Sequence, residues 1–457
     1  MKQYFLAPRT IERRGSFRRA LYLKTGFLGA GLAAAAALAT PTRAQTVAAP
    51  ATTVPNPASS PATPPGAAAV PAAAAAPAPP ATWASTITWG LQGDAGIQGN
   101  GDRPADGLNY GRLFDDKANT VLLNQIQATV TRPINSSATG YDFGFTLQGT
   151  FGTDARYLHY DGEFDELTTN SRYQFTVLQA NALMHAPWLT AGGIDFKLGQ
   201  FVTPIGYETI DPSTNPFYSH SYIFNFGPFQ HTGLLAEWHV NPTLDLYGQI
   251  DTGESTTFDG GDNNGEPAGL FGIGLNNLAG GKLTLLALTH LGPENPTISV
   301  PNANSEMRYE SDFIATYKAT SKLTLVTELN YQHDDAFGAD SYGAAQYISY
   351  ALSPTWTANG RAELYRDNAG FFVFAYPGDL DSIRALKGLP NGSFTAGRAT
   401  YSEFTAGLTY KPTVPHVALL AFRPEIRWDK SFSGTPAYDA GTQTGNFTFG
   451  GDVILGF

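Results

Sequence analysis

The stretch FRPEIRWD at residues 422–429 alternates between apolar and charged side chains with a period of two. Successive side chains of a β-strand point to opposite faces, so Phe422, Ile426 and Trp428 share one face. The opposite face carries Arg423, Glu425, Arg427 and Asp429. The final segment, NFTFGGDVILGF at 446–457, repeats the pattern. This alternation indicates strands that are apolar on one side and polar on the other.

Segments of this kind recur along most of the chain, and no window shows a sustained helical period. Most are long enough to cross a bilayer as tilted strands, which takes about nine to eleven residues. The sequence therefore predicts an all-β protein, a transmembrane antiparallel β-barrel of about sixteen strands within residues 83–457. The predicted strands are at about 86–97, 120–132, 140–151, 173–186, 189–201, 231–240, 243–252, 268–276, 282–291, 307–318, 322–333, 342–352, 356–366, 400–411, 418–430 and 446–457.

The connections between these segments support a membrane barrel. Those after even-numbered strands are short, such as Pro187-Trp188 and Asn241-Pro242, and those after odd-numbered strands are long and polar, such as 202–230 and 367–399. A transmembrane barrel has tight turns at one end and longer loops at the other. A secreted sandwich or propeller is the alternative fold, but a propeller needs four-stranded repeats, and none is found in this sequence.

The composition excludes several classes of protein. Charged residues make up only 15% of the chain, and there is no cysteine to form a disulfide, a thiolate metal site or a nucleophile. Beyond residue 45, 20 Lys and Arg stand against 38 Asp and Glu, a net charge of −18. So acidic a chain lacks the basic surface needed to bind nucleic acid.

The N-terminal region differs from the rest. Residues 1–44 combine a basic segment, the apolar run TGFLGAGLAAAAALA at 25–39 and the small-residue site Thr42-Arg43-Ala44, as in an export signal peptide. Residues 45–82 are rich in Ala and Pro, which predicts a disordered linker that tethers the barrel on the periplasmic side. A single membrane anchor is the alternative for the first segment, although its apolar run is shorter than the ~20 residues that span a bilayer.

One stretch resembles a known family. KLGQFVTPIGYETIDPSTNPFYSHSYIFNFGPFQHTG at 197–233 is similar to the signature of the OmpL-like outer-membrane β-barrel porins, with its Thr-Pro-x-Gly-x-Glu turn and its terminal His-Thr-Gly. LNQIQATVTRP at 123–133 and GRAELYRD at 360–367 also resemble segments of that family. The resemblance implies a pore-forming barrel of the bacterial outer membrane and no particular solute. Together with the strand pattern it leads us to expect passive diffusion of small hydrophilic solutes or ions through an aqueous lumen, a process that needs no cofactor.

The polar face of each strand is predicted to line an aqueous lumen, because about sixteen strands enclose more space than side chains fill. Opposed rows of charge could set a transverse field that selects ions, or these charges could neutralise one another along the wall. A mild preference for cations follows from the excess of acids. The predicted pore-lining residues are Lys197, Glu237, Glu328, Arg361, Glu363, Arg423, Glu425, Arg427 and Asp429.

The connection 202–230 is the candidate constriction loop. It follows the fifth strand and is rich in aromatic residues, which favours insertion into the barrel, although the same aromatics could pack outside the rim. The residues predicted to form the constriction are Glu208, Asp211, Tyr218, His220 and Tyr222.

The sequence also contains features of functions other than a pore. An adhesin or structural barrel would act through its long loops, and Ser219-His220-Ser221 contains residue types of a serine hydrolase but lacks a G-x-S-x-G motif. The loop DGGDNNGE at 259–266 offers oxygen ligands but not the spacing of an EF-hand, so no metal site is predicted. The terminal Phe457 fits the aromatic end through which barrel-insertion machinery recognises such chains. Outer-membrane lipid is the expected environment, and a homotrimer is compatible with the sequence but not fixed by it.

Overall fold

The computed structural model of the protein describes residues 82–457, apart from 166–170, 382 and 433. The predicted export signal at 1–44 and all but the last residue of the predicted linker at 45–82 lie outside the described residues.

The described residues form one closed barrel of sixteen strands in which every strand pairs antiparallel with its neighbours in sequence. This confirms the predicted fold class. The strands are β1 (Thr88–Asn100), β2 (Val121–Arg132), β3 (Asp142–Gly152), β4 (Gln174–Ala186), β5 (Ile194–Val202), β6 (Gln230–Asn241), β7 (Leu244–Glu254), β8 (Ala268–Asn277), β9 (Leu283–Pro293), β10 (Met307–Lys318), β11 (Leu323–Asp334), β12 (Ala339–Ala351), β13 (Trp356–Asp367), β14 (Ala399–Tyr410), β15 (Leu419–Ser431) and β16 (Gly445–Gly456).

The barrel closes where the first and last strands meet. β1 pairs with β16 in a register that sets Ala95 opposite Val453. The terminal Phe457 extends this ladder, since its backbone N–H donates to the carbonyl of Leu91 at 2.9 Å. Closure leaves no unpaired strand edge, which a lipid environment requires because it offers backbone groups no other partner.

The outer surface of the barrel is apolar. Side chains on this face are exposed although they are large and hydrophobic, and Trp89 is 77% exposed. Aromatic residues concentrate near both ends, as in the aromatic girdles that sit at the two membrane interfaces. One girdle contains Trp89, Tyr141, Trp188, Tyr317, Tyr350 and Trp356, and the other contains Phe151, Tyr173, Phe175, Tyr342, Phe432 and Phe447.

The connections differ at the two ends of the barrel, here named the turn end and the loop end. The turn end carries the connections after even-numbered strands, which are as short as the one between Asn241 and Leu244. The loop end carries the others, of which those at 203–229 and 368–398 are the longest in the described chain. The exception is the connection between β11 and β12, which is only 335–338.

Helical segments are short and lie in the connections. They are α1 (Tyr222–Asn225), α2 (Leu278–Gly281) and α3 (Ile383–Leu386), with 3-10 turns at Ala84–Thr86, Asp154–Arg156, Pro212–Thr214, Asp259–Gly261 and Ala303–Ser305. None of the helices in the described residues is long and apolar enough to span a bilayer.

The hydrophobic core lies inside the barrel, toward the loop end. It is built by residues of the folded-in loops packing against inward-facing aromatic residues of β12, β13 and β14. Its largest members are Tyr110, Phe114, Tyr157, Tyr222, Phe226, Phe229, Tyr347, Tyr365, Phe372, Tyr376, Tyr401 and Tyr438. The interior at this end is therefore partly filled by protein.

Candidate pore constriction

The loop between β5 and β6, residues 203–229, folds into the barrel, and we call it the inserted loop. It contacts strands on one side of the wall through side chains predicted to form the constriction. The Gln92 side chain of β1 donates to Asp211 at 2.9 Å, and the Tyr218 hydroxyl donates to Asn124 of β2 at 3.0 Å. The Tyr222 hydroxyl donates to Asp429 of β15 at 2.9 Å.

Three inward-facing arginines of β13 and β15 donate to backbone carbonyls of the inserted loop. Arg361 donates to Ser219 at 2.9 Å. Arg423 donates to Pro212 at 2.7 Å and to Asn215 at 2.8 Å. Arg427 donates to His220 at 2.5 Å. A guanidinium has five donors in a planar fork, so it can serve the loop and a carboxylate at once.

Two wall glutamates accept the backbone N–H groups of the same loop. Glu363 accepts from Tyr222 at 2.7 Å and from Ile223 at 2.9 Å, which are the first residues of α1. Glu425 accepts from Tyr218 at 2.9 Å and from Ser219 at 3.2 Å. A hydrogen bond contributes about 0.5–1.5 kcal/mol to stability, so these four bonds together fix the loop backbone against the wall.

The wall arginines are also paired with carboxylates. Arg361 bridges Glu403 of β14 and Glu208 of the inserted loop, Arg423 pairs with Asp452 of β16, and Arg427 pairs with Asp429 on its own strand. The sequence left two arrangements open, a basic row facing an acidic row or wall charges that neutralise one another. In the structure these wall charges form neutralising pairs. These arginines and their partners are at most 5% exposed, because the inserted loop covers them.

Glu208 is the carboxylate of the inserted loop that meets the wall. Its Oε1 lies 2.6 Å from Arg361 and its Oε2 accepts the N–H of Ser221 at 2.7 Å. Burial by itself would raise the pKa of Glu208, but the charge of Arg361 and the contact with His220 hold that pKa at about 2. The carboxylate is therefore ionised at any physiological pH.

Small wall residues make room for the loop. A Cβ at Gly96 of β1 would lie 2.5 Å from the Tyr218 ring, and one at Gly343 of β12 would lie 2.5 Å from Ile223. Glycine at these two inward positions allows the close approach of loop and wall, since any larger residue would collide with the loop.

The Ser219-His220-Ser221 segment has structural contacts inside the barrel. The Ser221 hydroxyl accepts the N–H of Phe224 at 3.0 Å and caps α1. The His220 ring stacks on Phe224 with centroids 4.0 Å apart. The hydroxyl of Ser219 lies 3.4 Å from the Arg361 guanidinium. These contacts hold the loop and give no nucleophile paired with a base.

Lys197 and Glu237 also point inward, on β5 and β6, away from the inserted loop. The ammonium of Lys197 lies 5.7 Å from the centre of the Phe201 ring, and Glu237 accepts from the Tyr247 hydroxyl at 2.8 Å. Both are partly exposed. The structure thus separates the predicted pore-lining residues into a covered group beside the loop and an open pair on the opposite side.

The space left between the inserted loop and the wall is a cavity of about 500 Å³ that continues into a narrow gap of about 70 Å³. Both are lined by Gly227, Pro228, Phe229 and Glu310. The gap adds Glu208 and Glu328 to its lining. This gap, the smaller of the two spaces, therefore has three carboxylates around it.

Three carboxylates of β10 and β11, those of Glu310, Asp312 and Glu328, differ from those beside the arginines. Glu328 accepts from the N–H of Tyr207 at 2.8 Å and from the Tyr347 hydroxyl at 2.9 Å, and Asn330 donates to Glu310 and Asp312. Among the described residues these carboxylates form no ion pair with the neighbouring arginines, which have other partners. Glu328 was predicted from the sequence to line the pore, whereas Glu310 and Asp312 were not, although both stand at alternate positions of a strand and so share its inward face.

A closed antiparallel barrel with an apolar belt, a charged interior and an inserted loop defines a transmembrane β-barrel of the porin class. The chain belongs to the family described as beta-barrel porin-2, OmpL-like, whose model matches residues 86–457. It is an outer-membrane porin, as the resemblance at 197–233 implied. No curated protein sequence is significantly similar to the chain.

Several solved structures resemble the chain at low sequence identity. The outer-membrane channel DcaP of Acinetobacter baumannii is 14% identical over 81% of this chain and 97% of that one, with a TM-score of 0.47. The anion-selective porin from Comamonas acidovorans is 10% identical over 81% and 99%, with a TM-score of 0.49. A trimer form of OmpT from Vibrio cholerae is 10% identical over 81% and 99%, with a TM-score of 0.46.

Proposed function

We propose that this porin passes small hydrophilic solutes, with a preference for cations, between the inserted loop and the wall formed by β10 and β11. The observation that supports this proposal is the narrow gap bordered by Glu208, Glu310 and Glu328. A ring of carboxylates at a constriction attracts cations and repels anions. Arg361 offsets the charge of Glu208, with which it pairs, but Glu310 and Glu328 form no ion pair with an arginine among the described residues and have neutral hydrogen-bond partners.

The proposed work of the protein is physical and not chemical. A hydrophilic solute crosses a bilayer slowly because it must leave water, and burying a polar group without a partner costs roughly 2–7 kcal/mol. A lumen with polar walls removes most of that cost. No cofactor or nucleophile takes part in such a process.

Planar-bilayer recording with the refolded chain tests the proposal. We expect discrete steps of current that are linear in voltage, and a reversal potential on the cation side under a salt gradient. A barrel that inserts but passes no current would contradict a pore and favour a structural or adhesive role. A current with an anion-side reversal potential would retain the pore and contradict the proposed constriction.

The proposal extends to the segments and partners that surround the barrel. Residues 1–44 would direct export, and residues 45–82 would lie in the periplasm as an Ala/Pro-rich tether, in keeping with their composition. The exposed apolar belt would contact outer-membrane lipid, and the terminal strand with Phe457 would be recognised by barrel-insertion machinery. Assembly as a homotrimer is compatible with this arrangement.

A further inference from the structure

Three side chains from different strands meet inside the barrel near its loop end. They are His231 of β6, Asp251 of β7 and His290 of β9, and all three are buried. One donor atom from each lies within 4.8 Å of the others. We propose that His231, Asp251 and His290 bind a divalent transition-metal cation of the class to which Zn²⁺ belongs.

The distances between the donor atoms suit a single ion. The Nε2 of His290 lies 3.2 Å from Oδ1 of Asp251, and the Nδ1 of His231 lies 3.7 Å from the same oxygen. In a tetrahedral zinc site with bonds of about 2.0–2.2 Å, neighbouring donor atoms are about 3.3–3.6 Å apart. Shifts of a few tenths of an ångström would bring these two pairs to that spacing, and the two histidine donor atoms lie within 4.8 Å of each other.

The ring of His231 is oriented as a metal ligand. Its Nε2 lies 3.1 Å from the Thr203 hydroxyl, so the ring can carry its proton there and turn the lone pair of Nδ1 toward Asp251. The ring is 0% exposed, and Nδ1 has no hydrogen-bond partner among the described residues. A buried polar atom without a partner is rare in proteins, and a bound cation would satisfy this one.

The ring nitrogen of His290 that faces away from Asp251 also lies near a polar group. This nitrogen, Nδ1, lies 3.8 Å from Oε1 of Glu294, a buried oxygen that likewise has no hydrogen-bond partner among the described residues. A carboxylate on the far nitrogen of a ligating histidine orients the ring and raises its basicity. The side chains of β7 and β9 meet across β8, which lies between these two strands. The residue of β8 opposite Asp251 is Ala268, and its small side chain leaves room for this contact.

The cluster lies close to the cavity and at the base of the inserted loop. Glu254 and Glu294 line the cavity of about 500 Å³, and Oε1 of Glu294 lies 3.8 Å from the His290 ring, so carboxyl groups stand between the cavity and the cluster. Thr203, the outer partner of His231, is the first residue of the inserted loop. An ion held there would link three strands at the base of that loop.

A second cluster provides the matched control. His239 lies near the turn end beside Glu237 and Asp245. Its Nδ1 is 2.8 Å from Asp245 and its Nε2 is 3.2 Å from Asp195. Both ring nitrogens therefore have partners already, and this histidine needs no ion.

Equilibrium dialysis of the full chain, refolded in detergent and stripped with a chelator, tests the site with ZnCl₂ as the probe. We expect about one zinc ion per chain, weakened at least about tenfold in H231Q and in H290Q and unchanged in H239Q. Absence of zinc binding by the wild-type chain would overturn the proposal. Binding that is lost in H239Q but kept in H231Q would place the ion at the turn end and would also overturn it.

X-ray absorption at the zinc edge keeps the proposal testable if the two variants do not refold. The wild-type chain loaded with one equivalent of zinc should show two imidazole nitrogens and oxygen in the first coordination shell. A shell with fewer than two imidazoles would contradict the site. Conductance is not needed for either measurement, so the outcome is independent of the proposed solute preference.

Discussion

At the scale of single residues, the inserted loop depends on buried charges that cannot be changed one at a time. Arg361 lies between Glu208 of the loop and Glu403 of β14, and none of the three side chains is accessible to solvent. Removing one partner of a buried ion pair costs about 3–5 kcal/mol, because the remaining charge stays buried without compensation.

Replacing Arg361 by Gln should therefore lower the free energy of unfolding by about 3–5 kcal/mol, measured by urea unfolding of the refolded barrel. The double variant R361Q/E208Q should recover part of this loss, since one of the two uncompensated carboxylates is then neutral. R132Q is the control: Arg132 pairs with Asp142 at the turn end, where both are partly exposed, and about 0–1 kcal/mol is expected. Equal losses in R361Q and R132Q would contradict the account.

The sequence predicted the direction of these side chains but not their partners. Alternation along β13 places Arg361 inside the barrel, because the period of two fixes the face of every residue on a strand. Its contact with Glu208 joins residues 153 positions apart, and no local pattern encodes where a loop of this length folds. The same limit applies to His231, Asp251 and His290, which come from three strands and have no shared sequence spacing.

At the scale of elements, strands were predictable and connections less so. All sixteen predicted strands are present in the described chain, most within a few residues of their predicted ends, because each needs an apolar outward face over its whole length. β5 begins at Ile194 and not near 189, since residues 188–193 form a turn in which the N–H groups of Thr190 and Gly193 donate to carbonyls of the turn itself. Connection length was less regular than expected, as the short link 335–338 shows.

The inserted loop is the element whose removal should change conduction most. Deleting 212–226 removes α1 and the aromatic residues beside it. The arginines and glutamates of the wall that this segment covers would then be exposed to water, so they would not be left buried without partners. We expect single-channel conductance to rise roughly twofold or more, since a sixteen-stranded barrel is wide enough for an open aqueous channel.

The matched control removes 263–266 of the loop between β7 and β8, four residues that lie outside the linings of the cavity and the gap. Its conductance should equal that of the wild type. An unaltered step size after deletion of 212–226 would place the conducting path elsewhere in the barrel.

At the scale of the whole molecule, charge is distributed unevenly around the interior. On the side of β13 to β16, arginines and carboxylates neutralise one another under the inserted loop. On the side of β10 and β11, the carboxylates Glu310, Asp312 and Glu328 have neutral hydrogen-bond partners. The overall acidity of the chain predicted a cation preference, but only the folded loop shows which wall faces the open space.

The double variant E310Q/E328Q should therefore reduce the selectivity for cations. Removing two carboxylates beside a constriction lowers the local concentration of cations, and we expect the ratio of cation to anion permeability to fall by roughly twofold or more. The reversal potential in a KCl gradient measures this ratio, and the difference from wild type should shrink at high salt because the charges are screened.

E266Q, in the exposed loop between β7 and β8, removes a carboxylate that does not line the gap and should leave the potential unchanged. If E310Q/E328Q behaves like E266Q, ions do not pass along β10 and β11, and the open path must run past Lys197 and Glu237 instead.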